Sequence, residues 1–342
     1  MTTRISRRFA HEVSRGFVLA SGAALLCVLP TRASAQFDVW YHKYDAIRPT
    51  LSRLPGAGVQ VPLLMVGEPG RKLPVIQAMV NGRGPFRFGI ATGIHDVAVT
   101  PALARKLRLH STDKDGRSNT YHLDSLNIGK LGFDNFPVTE LAAAQEGVDG
   151  LLGGPLFNDV ILTLDYARRK ARFDPGALPP VNGKDIVEMR YVHDGDYIGV
   201  PVTIGTRSLT AIIDTRATGS LGLTPEAAKP FPLGAVRRGR SAARAPAAAA
   251  RPFDARLGAD LRIGEFTIRE PFVHVRPLAP GLPTEPIVGT MLLQHFVVSI
   301  DENHGRVRFS HRGPATFATE DPRNVGGAYC DFTSTPASCR PE

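Results

Sequence analysis

Two short stretches decide the fold: FGIATGIHD at residues 88–96 and AIIDTRATG at residues 211–219. In each, apolar residues lead into a threonine and a glycine-containing segment, as in a strand that enters a tight turn; Gly93 follows Thr92 directly, whereas Arg216 follows Thr215. The second stretch carries Asp214 where the first carries Ala91. At this position the first copy therefore lacks the carboxyl group that the second copy carries.

The sequence around these stretches repeats as well. VIQAMVNGRGPFRFGIATG (75–93) and GVPVTIGTRSLTAIIDTRATG (199–219) each predict a strand, a glycine turn and a second strand. Thr100-Pro101 and Thr224-Pro225 follow. A threonine N-cap with proline at the first helical position predicts a short helix in each half.

Each half ends with matching elements. LDSLNIGKLGFDNFPVTEL (123–141) and GADLRIGEFTIREPFVHVR (258–276) predict strand pairs, and GLLGGPLFNDVILTLDYARRKARF (150–173) matches PIVGTMLLQHFVVSIDENHGRVRF (286–309). Gly153 and Gly289 are 136 residues apart, whereas Ala91 and Asp214 are 123 apart. The difference of 13 indicates an insertion in the second half.

The insertion is found at residues 233–253, a stretch rich in alanine and arginine without strand periodicity. It is interpreted either as a mobile loop over a cleft or as a solvated insertion, and its composition favours the second interpretation.

This duplicated plan resembles the aspartic proteases, and most closely the bacterial exported retropepsin-like aspartyl protease family. The resemblance covers about residues 70–312 and rests on four elements: FGIATG, IIDTRA, Leu151-Leu152-Gly153 and Ile287-Val288-Gly289. It implies an all-β, bilobed fold of two tandem β-barrel-like lobes with short helices and a cleft between them. It also implies a peptide or unfolded protein segment as the partner bound in the cleft.

In that family two aspartates share one proton, because two carboxylates about 3 Å apart cannot both ionise. The resemblance identifies Asp214 as the catalytic acid and places Ala91 at the partner position. It implies Thr92, Gly93, Thr215, Arg216 and Thr218 as substrate-binding residues. Arg216 stands where the family has glycine, so we expect it to crowd the axis and to hold Asp214 as an ion pair with a lowered pKa.

Two substitutes for the missing acid were considered. His95 and Asp96 lie near the predicted cleft, but the strand direction carries their side chains away from the axis. Pairing of Asp214 with its copy in a second chain would bring two Arg216 side chains to one axis. Neither is favoured, and a monomer is expected.

The sequence contains no motif for metal binding or phosphate binding. The sequence has no histidine or cysteine spacing for a metal and no phosphate-binding glycine loop, so no metal and no cofactor are predicted. Asp165 and Asp301 are related by the repeat, but they stand at hairpin turns, where aspartate is a common turn former.

The N-terminus has the features of a signal peptide. Basic residues precede an apolar run at 17–29, and Ala33-Ser34-Ala35 offers a cleavage site after Ala35. The run is too short for the roughly 20 residues of a membrane anchor. We therefore expect a periplasmic or secreted protein, exported by the general or the twin-arginine route.

Removal of the signal peptide would change the net charge and the number of cysteines in the mature protein. Cleavage removes five basic residues and one acidic residue, which lowers the net charge from +9 to +5, too little to indicate nucleic-acid binding. Cys330 and Cys339 remain, and in an oxidising compartment we expect a disulfide between them; a reactive thiol pair is the less favoured alternative.

These observations predict a domain layout: signal peptide 1–35, N-terminal arm 36–70 with Trp40 and Tyr41 packed on a lobe, lobe 1 at 71–180, lobe 2 at 181–312 and tail 313–342. Two functions are carried forward. The first is a catalytically degenerate family member that binds extended peptides in the interlobe cleft without cutting them. The second is an active aspartic endopeptidase that uses Asp214. Ala91 and Arg216 together favour the first.

Overall fold

The computed structural model describes residues 49–67, 72–112, 120–141, 147–192, 197–217, 219–234, 237–238, 252–277 and 283–319. The signal peptide, Trp40, Tyr41, most of the insertion, Thr218, Cys330 and Cys339 lie outside these residues. The predictions made for them stay predictions. In the part of the chain that is described, no helix is both long and apolar enough to cross a bilayer.

The first half of the chain folds mainly into strands. They are β1 (Thr50–Arg53), β2 (Val59–Pro62), β3 (Leu64–Val66), β4 (Leu73–Val80), β5 (Arg83–Ala91), β6 (Ala98–Val99), β7 (Thr120–Ile128), β8 (Leu131–Glu140), β9 (Gly150–Gly153), β10 (Ile161–Asp165) and β11 (Lys170–Asp174). Helix α1 (Pro101–Leu107) follows β6, and a 3₁₀ turn (Gly154–Phe157) follows β9.

The second half repeats this order. Its strands are β12 (Ile186–Glu188), β13 (Arg190–Val192), β14 (Tyr197–Ile204), β15 (Arg207–Ile213), β16 (Leu221–Leu223), β17 (Arg237–Arg238), β18 (Phe253–Arg256), β19 (Leu261–Ile263), β20 (Phe266–Arg269), β21 (Phe272–Val275), β22 (Ile287–Val288), β23 (Val297–Asp301), β24 (Arg306–Ser310) and β25 (Thr316–Ala318). Helices α2 (Pro225–Ala228) and α3 (Thr290–Leu293) complete it.

The two short helices begin as the sequence predicts. The Thr100 side chain accepts a hydrogen bond from the backbone N–H of Leu103, and Thr224 accepts one from Ala227. Proline follows each threonine, where its missing N–H costs nothing. Each cap satisfies a backbone donor that the first helical turn leaves open.

Strand pairing shows the same crossing in both halves. In the first half, β9 lies parallel to β5 and antiparallel to β6, and β6 lies parallel to β8. In the second, β22 lies parallel to β15 and antiparallel to β16, and β16 lies parallel to β21. In each half, the apolar-apolar-Gly element therefore passes beside the strand that leads into the turn.

A six-stranded sheet joins the halves in the order β12-β24-β23-β10-β11-β2. Its central pair, β10 and β23, is antiparallel, and Thr163 lies opposite Ser299 with 2.9 Å between their hydroxyl oxygens. These two residues are also 136 apart in sequence. An approximate two-fold axis therefore passes between them.

The all-β, bilobed fold predicted from the repeat is confirmed. One continuous apolar core includes residues from both halves, among them Phe88, Phe133, Phe173 and Phe309, all fully buried. The stretch predicted as an N-terminal arm contains β1, β2 and β3, which pair with β8, β11 and β4 respectively.

Candidate active site at the paired turns

The two turns of the opening sequences meet at the interface between the lobes. Ala91 is the last residue of β5, and Asp214 directly follows β15. Thr92 donates its backbone N–H to Thr215 Oγ1 at 3.0 Å, and Thr215 returns the same bond to Thr92 Oγ1 at 3.1 Å. The predicted face-to-face arrangement of the two turns is therefore present.

Each threonine hydroxyl also reaches across the interface. Thr92 Oγ1 donates to the carbonyl oxygen of Ile213 at 2.8 Å, and Thr215 Oγ1 donates to that of Ile90 at 2.7 Å. The two sets of reciprocal distances agree within 0.1 Å, so the two-fold symmetry holds at the level of single atoms. Both threonines are buried, where a satisfied polar network is rigid.

Gly93 allows the turns to approach this closely. A Cβ atom placed on Gly93 would lie 2.5 Å from Cγ of Asp214 and under 3 Å from both of its carboxylate oxygens. No real side chain tolerates such a contact, so glycine at position 93 makes the room for the Asp214 carboxyl. Gly93 of the first lobe therefore leaves space for the Asp214 side chain of the second lobe.

Asp214 is fully buried, and its Oδ1 accepts the backbone N–H of Arg216 at 2.8 Å. The turn thus holds the carboxyl in a fixed orientation beside Gly93.

Ala91 occupies the position that the two-fold axis pairs with Asp214. It is fully buried in a small apolar cluster with Leu73, Val75, Val148 and Leu151. Its methyl group can neither donate nor accept a proton. The backbone of the first turn is thus retained while its position 91 carries no acid.

Arg216 is partly buried, and its Nε is fully enclosed without a hydrogen-bond partner among the described residues. The contact that the structure shows between Arg216 and Asp214 is made by the arginine backbone N–H. The expected ion pair through the guanidinium stays a prediction.

His95 contacts a residue of the second lobe, and Asp96 contacts a residue of the first lobe. The His95 ring lies 6.2 Å from the ring of Tyr197 in β14. Asp96 hydrogen-bonds Thr139 of β8; burial raises its pKa above 3.8, while His95 and Thr139 partly offset that rise. The expectation that the strand carries both side chains away from the axis stays a prediction.

The repeat-related aspartates make turn contacts. Asp165 accepts the backbone N–H of Arg168 at 2.8 Å, and Asp301 accepts those of His304 at 3.2 Å and Leu178 at 2.8 Å. The bonds from Arg168 and His304 close hairpin turns, whereas the bond from Leu178 joins Asp301 to a distant part of the chain. Within the described residues, no group of three or more His, Cys, Asp or Glu side chains is placed to hold a metal ion.

A buried polar contact between the lobes was not predicted. Glu302 is 2% exposed and accepts the hydroxyl of Tyr191 at 3.2 Å. With its amide nitrogen turned to the carboxylate, Asn158 donates to both Glu302 oxygens at 2.7 and 3.0 Å. No sequence motif signals this contact, because Asn158 and Glu302 lie in different halves.

Comparison with known proteins agrees with this geometry in part. Residues 76–156 match the sequence model of a family described as aspartyl protease. A retropepsin-like aspartic protease from Rickettsia conorii is 22% identical over 35% of this chain and 93% of its own, with a TM-score of 0.26. No curated protein matches. The match over residues 76–156 and the duplicated turns support an aspartyl protease family for this chain.

Proposed function

We propose that this protein is an exported, catalytically degenerate member of the aspartyl protease family that binds extended peptides in the cleft between its lobes without cleaving them. The observation that carries the proposal is the pairing of Asp214 with Ala91 across the threonine-linked turns. One turn holds a buried carboxyl, and the two-fold partner of that carboxyl is a methyl group.

The reason lies in the division of work between two acids. In peptide hydrolysis by such a pair, an ionised carboxylate takes a proton from water while a protonated one polarises the scissile carbonyl. A single carboxyl cannot be in both states at once. Asp214 alone therefore lacks the partner that would polarise the peptide carbonyl.

Binding does not need the second acid. An extended peptide is held mainly by backbone hydrogen bonds to strand edges and by side chains in pockets. Thr92, Gly93, Thr215 and Arg216 are proposed to contact the peptide at the floor of the cleft. The substrate-binding role of Thr218 stays a prediction, because Thr218 lies outside the described residues. The hydrogen bonds between Thr92 and Thr215 would hold the two lobes together at a fixed distance. This spacing does not depend on whether a bound peptide is cut.

The experiment compares binding with turnover. Mature protein, beginning at Gln36, is mixed with an unfolded protein and with short peptides from pH 3 to pH 8, and products are measured by mass spectrometry. We expect peptide binding without products. Cleavage that a pepstatin-type inhibitor reduces and that Asp214→Asn abolishes would instead establish an active endopeptidase.

A gain of activity provides a second readout. The double variant Ala91→Asp with Arg216→Gly restores the acid and the close-approach glycine together. We expect acid-dependent cleavage by this variant at a rate above that of the wild type. If the double variant folds and binds peptide but does not cleave it, residues other than those at positions 91 and 216 must also prevent catalysis.

A further inference from the structure

The last described strand, β25, adds to the outer edge of the second-lobe sheet. It lies parallel to β20 with Phe317 opposite Ile268, and the backbone N–H of Thr267 donates to the Ala315 carbonyl oxygen at 2.8 Å. The edge of a sheet offers a row of open backbone donors and acceptors to any strand that reaches it. In this structure β25 takes up those groups on β20.

The first lobe takes an added strand at the equivalent edge. Within the repeated strand pairs 123–141 and 258–276, Phe133 of β8 corresponds to Ile268 of β20. Leu51 of β1 lies opposite Phe133, although β1 runs antiparallel to β8. The first and the last described strands thus fill the same edge of the two lobes, in opposite directions. An edge that is filled in either direction selects a strand mainly by its side chains.

A pocket of aromatic rings receives Phe317. The His311 ring stacks on the Phe317 ring with 4.3 Å between centroids and 17° between planes. Phe296 meets it edge-on at 5.6 Å and 66°, and His295 lies 5.4 Å away. His311 is itself held, because its Nδ1 donates to the His295 carbonyl oxygen at 2.7 Å. Stacked and edge-on rings attract one another, so the pocket favours an aromatic side chain.

This ring is the chief apolar anchor of β25. The strand has three residues, of which Thr316 and Ala318 are exposed and Phe317 is partly buried. Parallel pairing is slightly less stable per residue than antiparallel pairing. Edge segments with few buried contacts open locally at a small cost in free energy. The edge of β20 and its ring pocket become accessible whenever β25 opens.

We propose that the outer edge of β20, together with the pocket of His295, Phe296 and His311, is a second polypeptide-binding site. Its ligand is an extended segment that carries an aromatic side chain between small residues. The chain's own Thr-Phe-Ala at 316–318 has this pattern and fills the site as an intramolecular ligand. A segment of another polypeptide with the same pattern binds by displacing β25.

This site is separate from the cleft between the lobes. β20 pairs with β19, and β19 pairs with β14 at Thr203. Thr203 lies opposite Ser208, which is six residues before Asp214 and so about 20 Å from it along β15. The inference therefore goes beyond the proposed function and does not rest on it.

The test uses a fluorescent peptide of sequence GPATFATE, which copies residues 313–320, and a control peptide with alanine in place of the phenylalanine. Affinity for the mature protein is measured by fluorescence anisotropy. Phe317→Ala weakens the tethered competitor, so this variant should bind the first peptide about tenfold tighter than the wild type does. The control peptide should show no such gain.

Two further variants tie the gain to the site. Leu51→Ala loosens β1 at the equivalent edge of the first lobe and is the matched control, which should leave the peptide's affinity unchanged. Adding His311→Ala to Phe317→Ala removes the stacking ring and should reverse most of the gain. Thermal unfolding of each variant checks that it folds.

Hydrogen exchange on the wild type gives a readout that needs no variant. The GPATFATE peptide at about millimolar concentration should speed the amide exchange of residues 316–318, because it displaces β25, while residues 266–269 stay protected. The control peptide should change neither segment. Equal binding of the two peptides by Phe317→Ala would overturn the proposal, and so would unchanged exchange at 316–318 in the wild type.

Discussion

The two-fold relation pairs Ala91 with Asp214 and Gly93 with Arg216. A Cβ at Gly93 would collide with the Asp214 carboxyl. By the same symmetry, we expect a carboxyl at position 91 to collide with the Cβ of Arg216. We therefore expect the residues at positions 91 and 216 to depend on one another.

That dependence predicts coupling between the two positions. Ala91→Asp should destabilise the protein more when Arg216 is present than when it is replaced by glycine. The coupling free energy from a double-mutant cycle in urea should be about 1–3 kcal/mol, as for residues in direct contact. Additive effects of the two substitutions would mean that they do not touch.

Asp96 provides a pH-dependent prediction. Burial raises its pKa above 3.8, so the folded state holds the proton more tightly than the unfolded state. A raised pKa contributes stability below the unfolded value that is lost as the pH rises through the folded value. Asp96→Asn should therefore stabilise the protein at pH 7 relative to the wild type.

The comparison is made by thermal unfolding at several pH values. The advantage of Asp96→Asn should shrink as the pH falls towards 3.8 and be absent below it. Asp124→Asn, at an exposed aspartate in β7, is the control and should not show this trend. A wild type that is more stable than Asp96→Asn at pH 7 would contradict the burial argument.

Among the elements, helix α1 depends on its N-cap. Thr100 Oγ1 accepts the Leu103 N–H at 3.1 Å, and the next residue is Pro101. Thr100→Ala should lower the free energy of unfolding by about 1 kcal/mol, because one backbone donor loses its partner. Thr100→Ser keeps the hydroxyl and should cost less; equal losses in urea unfolding would show that the cap bond is not the cause.

Local signals predicted these elements well. Thr-Pro at 100–101 and 224–225, and the alternating strands around the glycine turns, depend on neighbouring residues and can be read from the chain. The crossing of β9 beside β5 and of β22 beside β15 depends on long-range pairing. No local signal in the sequence gives this pairing.

Contacts between the halves were harder to predict. The threonine pair follows once the two turns are recognised as copies. The contact between Asn158 and Glu302 does not, because it joins side chains in different halves through no repeated motif. Likewise the backbone hydrogen bond from Arg216 to Asp214 was not predicted, because the sequence does not give the local turn geometry.

For the whole molecule, shared structure predicts one cooperative unit. The six-stranded sheet takes strands from both halves, the core runs through both, and the two turns exchange hydrogen bonds. The mature protein should therefore unfold in a single calorimetric transition, with equal calorimetric and van't Hoff enthalpies. Two resolved transitions would show that the lobes unfold independently.

The central claim is that the cleft holds a peptide and does not cut it. Its most direct test is the incubation of the purified mature protein with a peptide that it binds, followed by mass spectrometry from pH 3 to pH 8. The account predicts that the peptide is recovered intact at every pH. Cleavage products that disappear in Asp214→Asn would contradict it.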